Sequence, residues 1–121
     1  MIKKQLETDI VRQICDWLFV HKYFFWRQNN TPIFDRKFGG FRAMPKYTPK
    51  GLPDVLIVYK GNLIGIEVKI PGYWKYTDAQ KAMGEKFIIN GAHYHLVTSL
   101  NETVDIMRIY NDTSEDIIKL S

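Results

Sequence analysis

The chain has a single cysteine, few prolines and no long apolar run. The lone Cys15 excludes an intramolecular disulfide and agrees with a reducing compartment, so a cytoplasmic setting is expected. No stretch approaches the roughly 20 apolar residues that a membrane-spanning helix needs. The segment Met1-Ile2-Lys3-Lys4-Gln5-Leu6-Glu7 lacks the uninterrupted apolar core of a secretory signal. Internal repeats and low-complexity tracts are absent, which argues against solenoid and disordered architectures. What remains is 121 residues, 45% of them hydrophobic and 14% aromatic. That composition predicts one domain, residues 1–121, around one modest core.

Acid is scarce in one region in particular. Between Lys22 and Lys50 stand seven cations (Lys22, Arg27, Arg36, Lys37, Arg42, Lys46, Lys50) against Asp35 alone, a local charge of +6. From Asn101 onward, five acids face Arg108 and Lys119, a local charge of −3. The basic segment suits a polyanionic partner, although a solvated loop would carry the same charges. Phe34, Phe38, Phe41 and Tyr47 are interleaved with its cations. Such a pattern can grip phosphates and stack bases, and it can equally form a contact with a second copy of the chain. The stretch is too long for a plain connection, so it is expected to be functional or to hold a small hairpin.

The centre of the sequence is Lys50-Gly51-Leu52-Pro53-Asp54 followed by two apolar runs. Val55–Tyr59 is β-branched and predicts a strand buried on both faces. Lys60-Gly61-Asn62 supplies a turn, and Leu63–Ile70 a second strand. Glu67 and Lys69 interrupt this second run and, two residues apart, share one face. A hairpin brings Asp54, at the head of the first strand, close to Glu67. Charges inside an apolar sheet must be paired or must bind a cation. One reading is a Glu67–Lys69 ion pair with Asp54 shaping the turn. The other is a Mg²⁺ site with Asp54, Glu67 and the Val68 carbonyl as hard oxygen ligands and Lys69 beside the reacting group.

The remaining chain predicts helices and strands around this hairpin. Ile2, Leu6, Ile10, Ile14, Trp17 and Leu18 recur at helical spacing, so residues 2–20 should form a helix. With Leu6 at zero and roughly 100° per residue, Ile14 falls near 80°, Glu7 near 100° and Leu18 near 120°. Glu7 thus lies inside the apolar stripe, where it either snorkels to water or needs a partner. Tyr23–Gln28 predicts an aromatic first strand, and Tyr73-Trp74-Lys75-Tyr76 a second aromatic patch after Pro71-Gly72. Thr77-Asp78-Ala79-Gln80 has the spacing of a capping box opening a helix that Gly91 ends. Gln80 is then either a cap or an inward-facing amide at the sheet. His93–Thr98 predicts the last strand. His93 and His95 share a face, but without a cysteine pair or a third ligand nearby they are expected to be packing histidines. Ser99 and Glu102 form a second capping box for a short helix through about Tyr110, followed by a polar, mobile tail.

Gly51-Leu52-Pro53-Asp54, Glu67-Val68-Lys69 and the following Gln80 resemble the VRR-NUC domain, a branch of the PD-(D/E)xK nuclease superfamily. The likeness is to its compact stand-alone members, common in phages and prophages, and runs from about Glu7 to Ser99. The resemblance implies an α/β fold, a mixed central sheet flanked by helices in αβββαβ order. It implies an endonuclease dependent on Mg²⁺, with Mn²⁺ expected to substitute, that hydrolyses DNA phosphodiesters, with branched, junction-like DNA the expected substrate. Asp54, Glu67, Lys69 and Gln80 would be the catalytic set, and Glu7, Asp54, Glu67 and Val68 the metal ligands. Arg36, Lys37, Arg42, Lys46 and Lys50 would contact DNA, and the protein would act as a homodimer. The alternatives are a non-catalytic nucleic-acid-binding module of the same fold, a nuclease acting on another DNA or on RNA, and a structural interaction protein. Intact Asp54, Glu67 and Lys69 weigh against a mere binder, because unneeded acids repel phosphate.

Overall fold

The computed structural model describes the backbone of residues 2–28, 34–41, 45–72 and 75–120, and side chains within 6–28, 36–40, 45–72 and 75–112. Its elements are α1 (Ile2–Val20), β1 (Phe24–Arg27), β2 (Phe34–Asp35), β3 (Gly40–Phe41), β4 (Val55–Tyr59), β5 (Asn62–Val68), α2 (Asp78–Ile89), β6 (His93–Val97) and α3 (Leu100–Leu120). The main sheet has the order β1-β4-β5-β6, with β2 and β3 pairing separately as a small hairpin. Within the main sheet β1–β4 and β4–β5 are antiparallel and β5–β6 is parallel. A parallel neighbour needs a crossover, and α2 supplies it. The result is an α/β fold with a four-stranded mixed sheet flanked by three helices.

The strand period decides which residues face which helix. Val55, Ile57, Ile64, Ile66, Val68 and Val97 point to one side, where they join Val11, Ile14 and Leu18 of α1 and Met107 of α3 in the buried core. The predicted α1 stripe is therefore centred slightly differently, on Val11, Ile14 and Leu18, while Leu6 is about half exposed. Glu7 lies one turn before Val11 on this same line. The opposite side of the sheet carries Leu56, Leu63, Gly65, Glu67, Tyr94 and Leu96. There Met83 and Gly84 of α2 are buried. β4 is buried on both faces only in its first half, because Val58 is 37% exposed on this second side. Its β1 partner Phe24 and the nearby Trp26 are exposed with it.

The β4–β5 turn is tighter than expected. Tyr59 pairs directly with Asn62, so only Lys60 and Gly61 form the loop. Both have positive φ, 45° and 85°, the geometry that matches the twist of a two-residue hairpin. Asn62 belongs to β5, which ends at Val68 rather than Ile70. The Lys69 N–H nevertheless bonds the Val97 carbonyl at 2.9 Å, extending the alignment with β6.

The largest departure is α3. It continues to Leu120, through the segment expected to be a mobile tail after Tyr110. The segment is polar but holds no glycine or proline, and polarity alone does not stop a helix. Asn111 also ties α3 to the sheet: its Nδ2 donates to the Tyr23 hydroxyl at 2.9 Å, and its Oδ1 accepts from the Tyr59 hydroxyl. The start of α3 is half of the expected reciprocal box. Glu102 N–H donates to Ser99 Oγ at 3.2 Å, but the Glu102 carboxylate accepts from the Thr98 N–H at 2.8 Å.

Candidate functional site

Asp54 and Glu67 meet because the two-residue turn fixes the hairpin register. Val55 pairs with Ile66, so the next step places Asp54 opposite Glu67. The loop before Asp54 is held by close approaches at two glycines. Gly51 has φ of 80°, and a Cβ there would sit 2.5 Å from the Ala79 carbonyl oxygen, so this loop can seat against the start of α2 only without a side chain. Pro53, fully buried, packs on Gly65, where a Cβ would lie 2.6 Å from the proline ring. Asp54 then accepts the Val68 N–H at Oδ2, 2.8 Å away, while its own carbonyl accepts the Gln28 N–H at 2.8 Å. Asp54 thus ties the start of β4 to both neighbouring strands, to β1 through its carbonyl and to β5 through its carboxylate.

Glu67 is the buried member of the pair, 4% exposed. Its pKa is pushed up from 4.5 to about 9. Burial is the main cause, followed by the charge of Asp54 and a hydrogen bond with it. Lys69 pulls in the other direction, and Glu7 adds a small upward push. At neutral pH Glu67 therefore holds a proton beside Asp54. Its Oε2 is buried without a hydrogen-bond partner among the described residues. Asp54 acts on Glu67 more strongly than Lys69 does, so the simple Glu67–Lys69 ion pair does not describe this site.

The other expected residues fall into three groups. Glu7 and Lys69 lie near enough to act on Glu67 electrostatically. Gln80 is engaged in the capping box: its Oε1 accepts the Thr77 N–H at 3.1 Å, and its N–H donates to Thr77 Oγ1 at 3.1 Å. That is the cap arrangement of the two readings open for this residue, and it occupies the amide oxygen. Among the cations, Arg36, Lys37, Lys46 and Lys50 have exposed positions, and Lys46 Nζ sits 5.2 Å from the centre of the Tyr47 ring. Arg42 lies outside the described residues. Phe38 and Tyr47 are exposed, while the side chains of Phe34 and Phe41 are not described.

Among the described residues, no three His, Cys, Asp or Glu side chains gather closely enough to hold a metal ion. The histidines behave as packing residues. His95 Nε2 lies 2.8 Å from the Tyr110 hydroxyl and His93 Nε2 3.3 Å from Asn62 Oδ1, and both rings meet Tyr110 edge-on. Burial, and then His93, lowers the pKa of His95. Two carboxylates still suit one kind of cation. Mg²⁺ keeps several waters and is held by one or two carboxylates together with substrate phosphates. Asp54 and Glu67, side by side at the end of the sheet, supply that pair of carboxyls.

Two tyrosines belong to this neighbourhood: Tyr76, from the aromatic patch expected next to the site, and Tyr94, which the sequence did not single out for it. Tyr76 has its pKa raised by burial and by Glu67. Tyr94, on β6, has its pKa raised by burial and then by Glu67, Tyr76 and Asp54. Alternation along His93–Val97 puts Tyr94 opposite in direction to the two histidines. Only the parallel register, with Gly65 beside Tyr94 and Glu67 beside Leu96, brings it to the carboxylates. No family model, curated protein or solved structure matches the chain, and no helix of the described residues is long and apolar enough to cross a membrane.

Proposed function

We propose that this protein is a metal-dependent endonuclease of the PD-(D/E)xK type, akin to stand-alone VRR-NUC domains, acting on branched or structured DNA. The observation that carries the proposal is the facing pair of Asp54 and Glu67, held at the end of the sheet with Lys69 beside them. An apolar sheet has no structural need of two adjoining carboxyls, one of them buried. Binding a divalent cation resolves that cost. The order α1, β1, β4, β5, α2, β6 also supports the αβββαβ reading.

Asp54 and Glu67 would hold Mg²⁺ or Mn²⁺, with the Val68 carbonyl as a further oxygen at the strand end and Glu7 supporting from α1. When bound, such a cation polarises the scissile phosphate and lowers the pKa of water. Asp54 is pre-oriented for this by the Val68 N–H. Glu67 must release its proton, which links cation binding to pH. Lys69 brings positive charge to the edge of the pair, where it offsets charge building on the phosphate and orients the attacking water. Gln80, through its amide nitrogen, would position water or Lys69. Arg36, Lys37, Arg42, Lys46 and Lys50 would hold the DNA backbone. Lys50 leads directly into the Gly51–Asp54 loop, which ties the basic segment to the site.

We further read the protein as a homodimer, with the exposed aromatics Phe38 and Tyr47 at the contact. Two sites related by a two-fold axis would cut symmetric strands of a junction. The test is cleavage of a panel of duplex, branched and single-stranded DNA and RNA by purified protein in Mg²⁺ or Mn²⁺. The proposal expects metal-dependent cleavage, strongest on a branched DNA, that disappears in Lys69→Ala. Binding without cleavage of any substrate would favour a non-catalytic nucleic-acid-binding module of the same fold.

A further inference from the structure

Two buried side-chain polar atoms lack a hydrogen-bond partner among the described residues, Glu67 Oε2 and Tyr94 Oη. They belong to one neighbourhood: Tyr94 pairs with Gly65 in the β5–β6 register, and Glu67 is the next residue of β5 on the same face. One atom is a donor in need of an acceptor, and the other an acceptor whenever the carboxyl is ionised. The fold makes a fitted place for the tyrosine ring. Gly84 of α2 leaves room for it, since a Cβ there would come within 3.3 Å of the ring. Phe87 meets the ring edge-on, with centroids 5.6 Å apart and planes at 84°. Its register neighbour on β5, Gly65, lies under Pro53 and under the same Phe87. A ring held this closely directs its hydroxyl instead of letting it turn to solvent. Burial and the neighbouring acids keep the phenol protonated, so it remains a donor.

Resting on the reading of Asp54 and Glu67 as a cation-binding pair, the geometry points to Tyr94 as a positioning residue. Its hydroxyl donates, directly or through one water, to Oε2 of the ionised Glu67 carboxylate, and so fixes the direction in which the other oxygen is presented to the cation. Before the cation binds, Glu67 is turned to Asp54 and the Tyr94 hydroxyl waits without a partner. Hydrogen bonds of this kind to ligating carboxylates set affinity as strongly as some ligands do.

Tyr94→Phe keeps the ring packing and removes only the hydroxyl. The experiment is a Mn²⁺ titration of the wild-type protein and Tyr94→Phe, read by the paramagnetic resonance signal of free Mn²⁺, with thermal melts of both in chelator. The expected result is Mn²⁺ binding weakened about 10- to 100-fold, with a melting temperature in chelator equal to or above that of wild type. A merely structural hydroxyl would leave the Mn²⁺ affinity unchanged and lower the chelator melt, and either result overturns the inference. Wild type that binds Mn²⁺ with Tyr94→Phe binding equally well removes this inference alone. Wild type that binds no Mn²⁺ removes the cation-site reading as well.

Discussion

A glutamic acid that keeps its proton in the folded chain couples stability to pH. Glu67 holds its proton up to about pH 9 when folded, against an ordinary value of 4.5. Below the ordinary value both folded and unfolded chains are protonated there, and Glu67 favours neither. Between the two values only the folded chain binds the proton, so rising pH withdraws stability, by at most about 1.4 kcal/mol per pH unit for one proton. Cation-free wild type should therefore lose stability between about pH 6 and pH 8. Glu67→Gln should flatten that slope, as read by urea unfolding in chelator at each pH. Equal slopes in the two proteins would place the titrating group elsewhere. The facing of Asp54 and Glu67 was legible in the sequence, because a hairpin with turn residues at Lys60-Gly61 and two carboxyls at its far end has few other solutions. A raised pKa follows from the same hairpin, since two carboxyls that meet in a partly dry sheet repel one another, but that burial outweighs the charge of Asp54 does not, because burial depends on how the elements pack. Tyr94 was hidden for a related reason. Its proximity to Glu67 comes from strand register across a crossover, which no local spacing reveals.

The elements show where local signals suffice and where packing takes over. The caps at Thr77 and Gly91 bound α2 as their chemistry predicts. α1 likewise follows its period, although the buried line runs through Val11. The end of α3 was misjudged because a run of Asn, Asp, Thr, Ser and Glu resembles a loop in composition. What holds the helix past Tyr110 is tertiary: Asn111 is shared between Tyr23, just before β1, and Tyr59 of β4. Asn111→Ala would leave both hydroxyls without that partner. It should cost about 1–3 kcal/mol, the range for stranding buried polar groups, measured by urea unfolding. A loss below about 0.5 kcal/mol, the usual scale for surface substitutions, would mean that water replaces the amide freely. The same variant should leave Mn²⁺ affinity intact, because this contact lies at the opposite end of β4 from Asp54.

For the whole molecule, charge decides how a polyanion is met. The positive balance is concentrated between Lys22 and Lys50, where Arg36, Lys37, Lys46 and Lys50 are exposed. Lys46→Ala and Arg42→Ala should each weaken DNA binding and lower the slope of log affinity against log salt by about 1, as release of one counterion requires. Unchanged slopes in both would put the nucleic acid on another surface. A dimeric mass by light scattering at micromolar concentration is expected, with and without DNA, and a monomeric mass in both would contradict the paired arrangement. The central claim, that Asp54 and Glu67 form a cation site, is tested most directly by thermal melting of wild type and Asp54→Asn, in chelator and then in Mg²⁺. A cation that binds only the folded chain stabilises it by about 1.4 kcal/mol at ten times its Kd. Asp54→Asn keeps an oxygen for the Val68 N–H but removes one charge beside Glu67. The account predicts that wild type gains stability with Mg²⁺, while Asp54→Asn melts no lower than wild type in chelator and gains little from Mg²⁺. Asp54→Asn melting well below wild type in chelator, or an equal Mg²⁺ shift in both proteins, would contradict it and make Asp54 a residue that holds the turn.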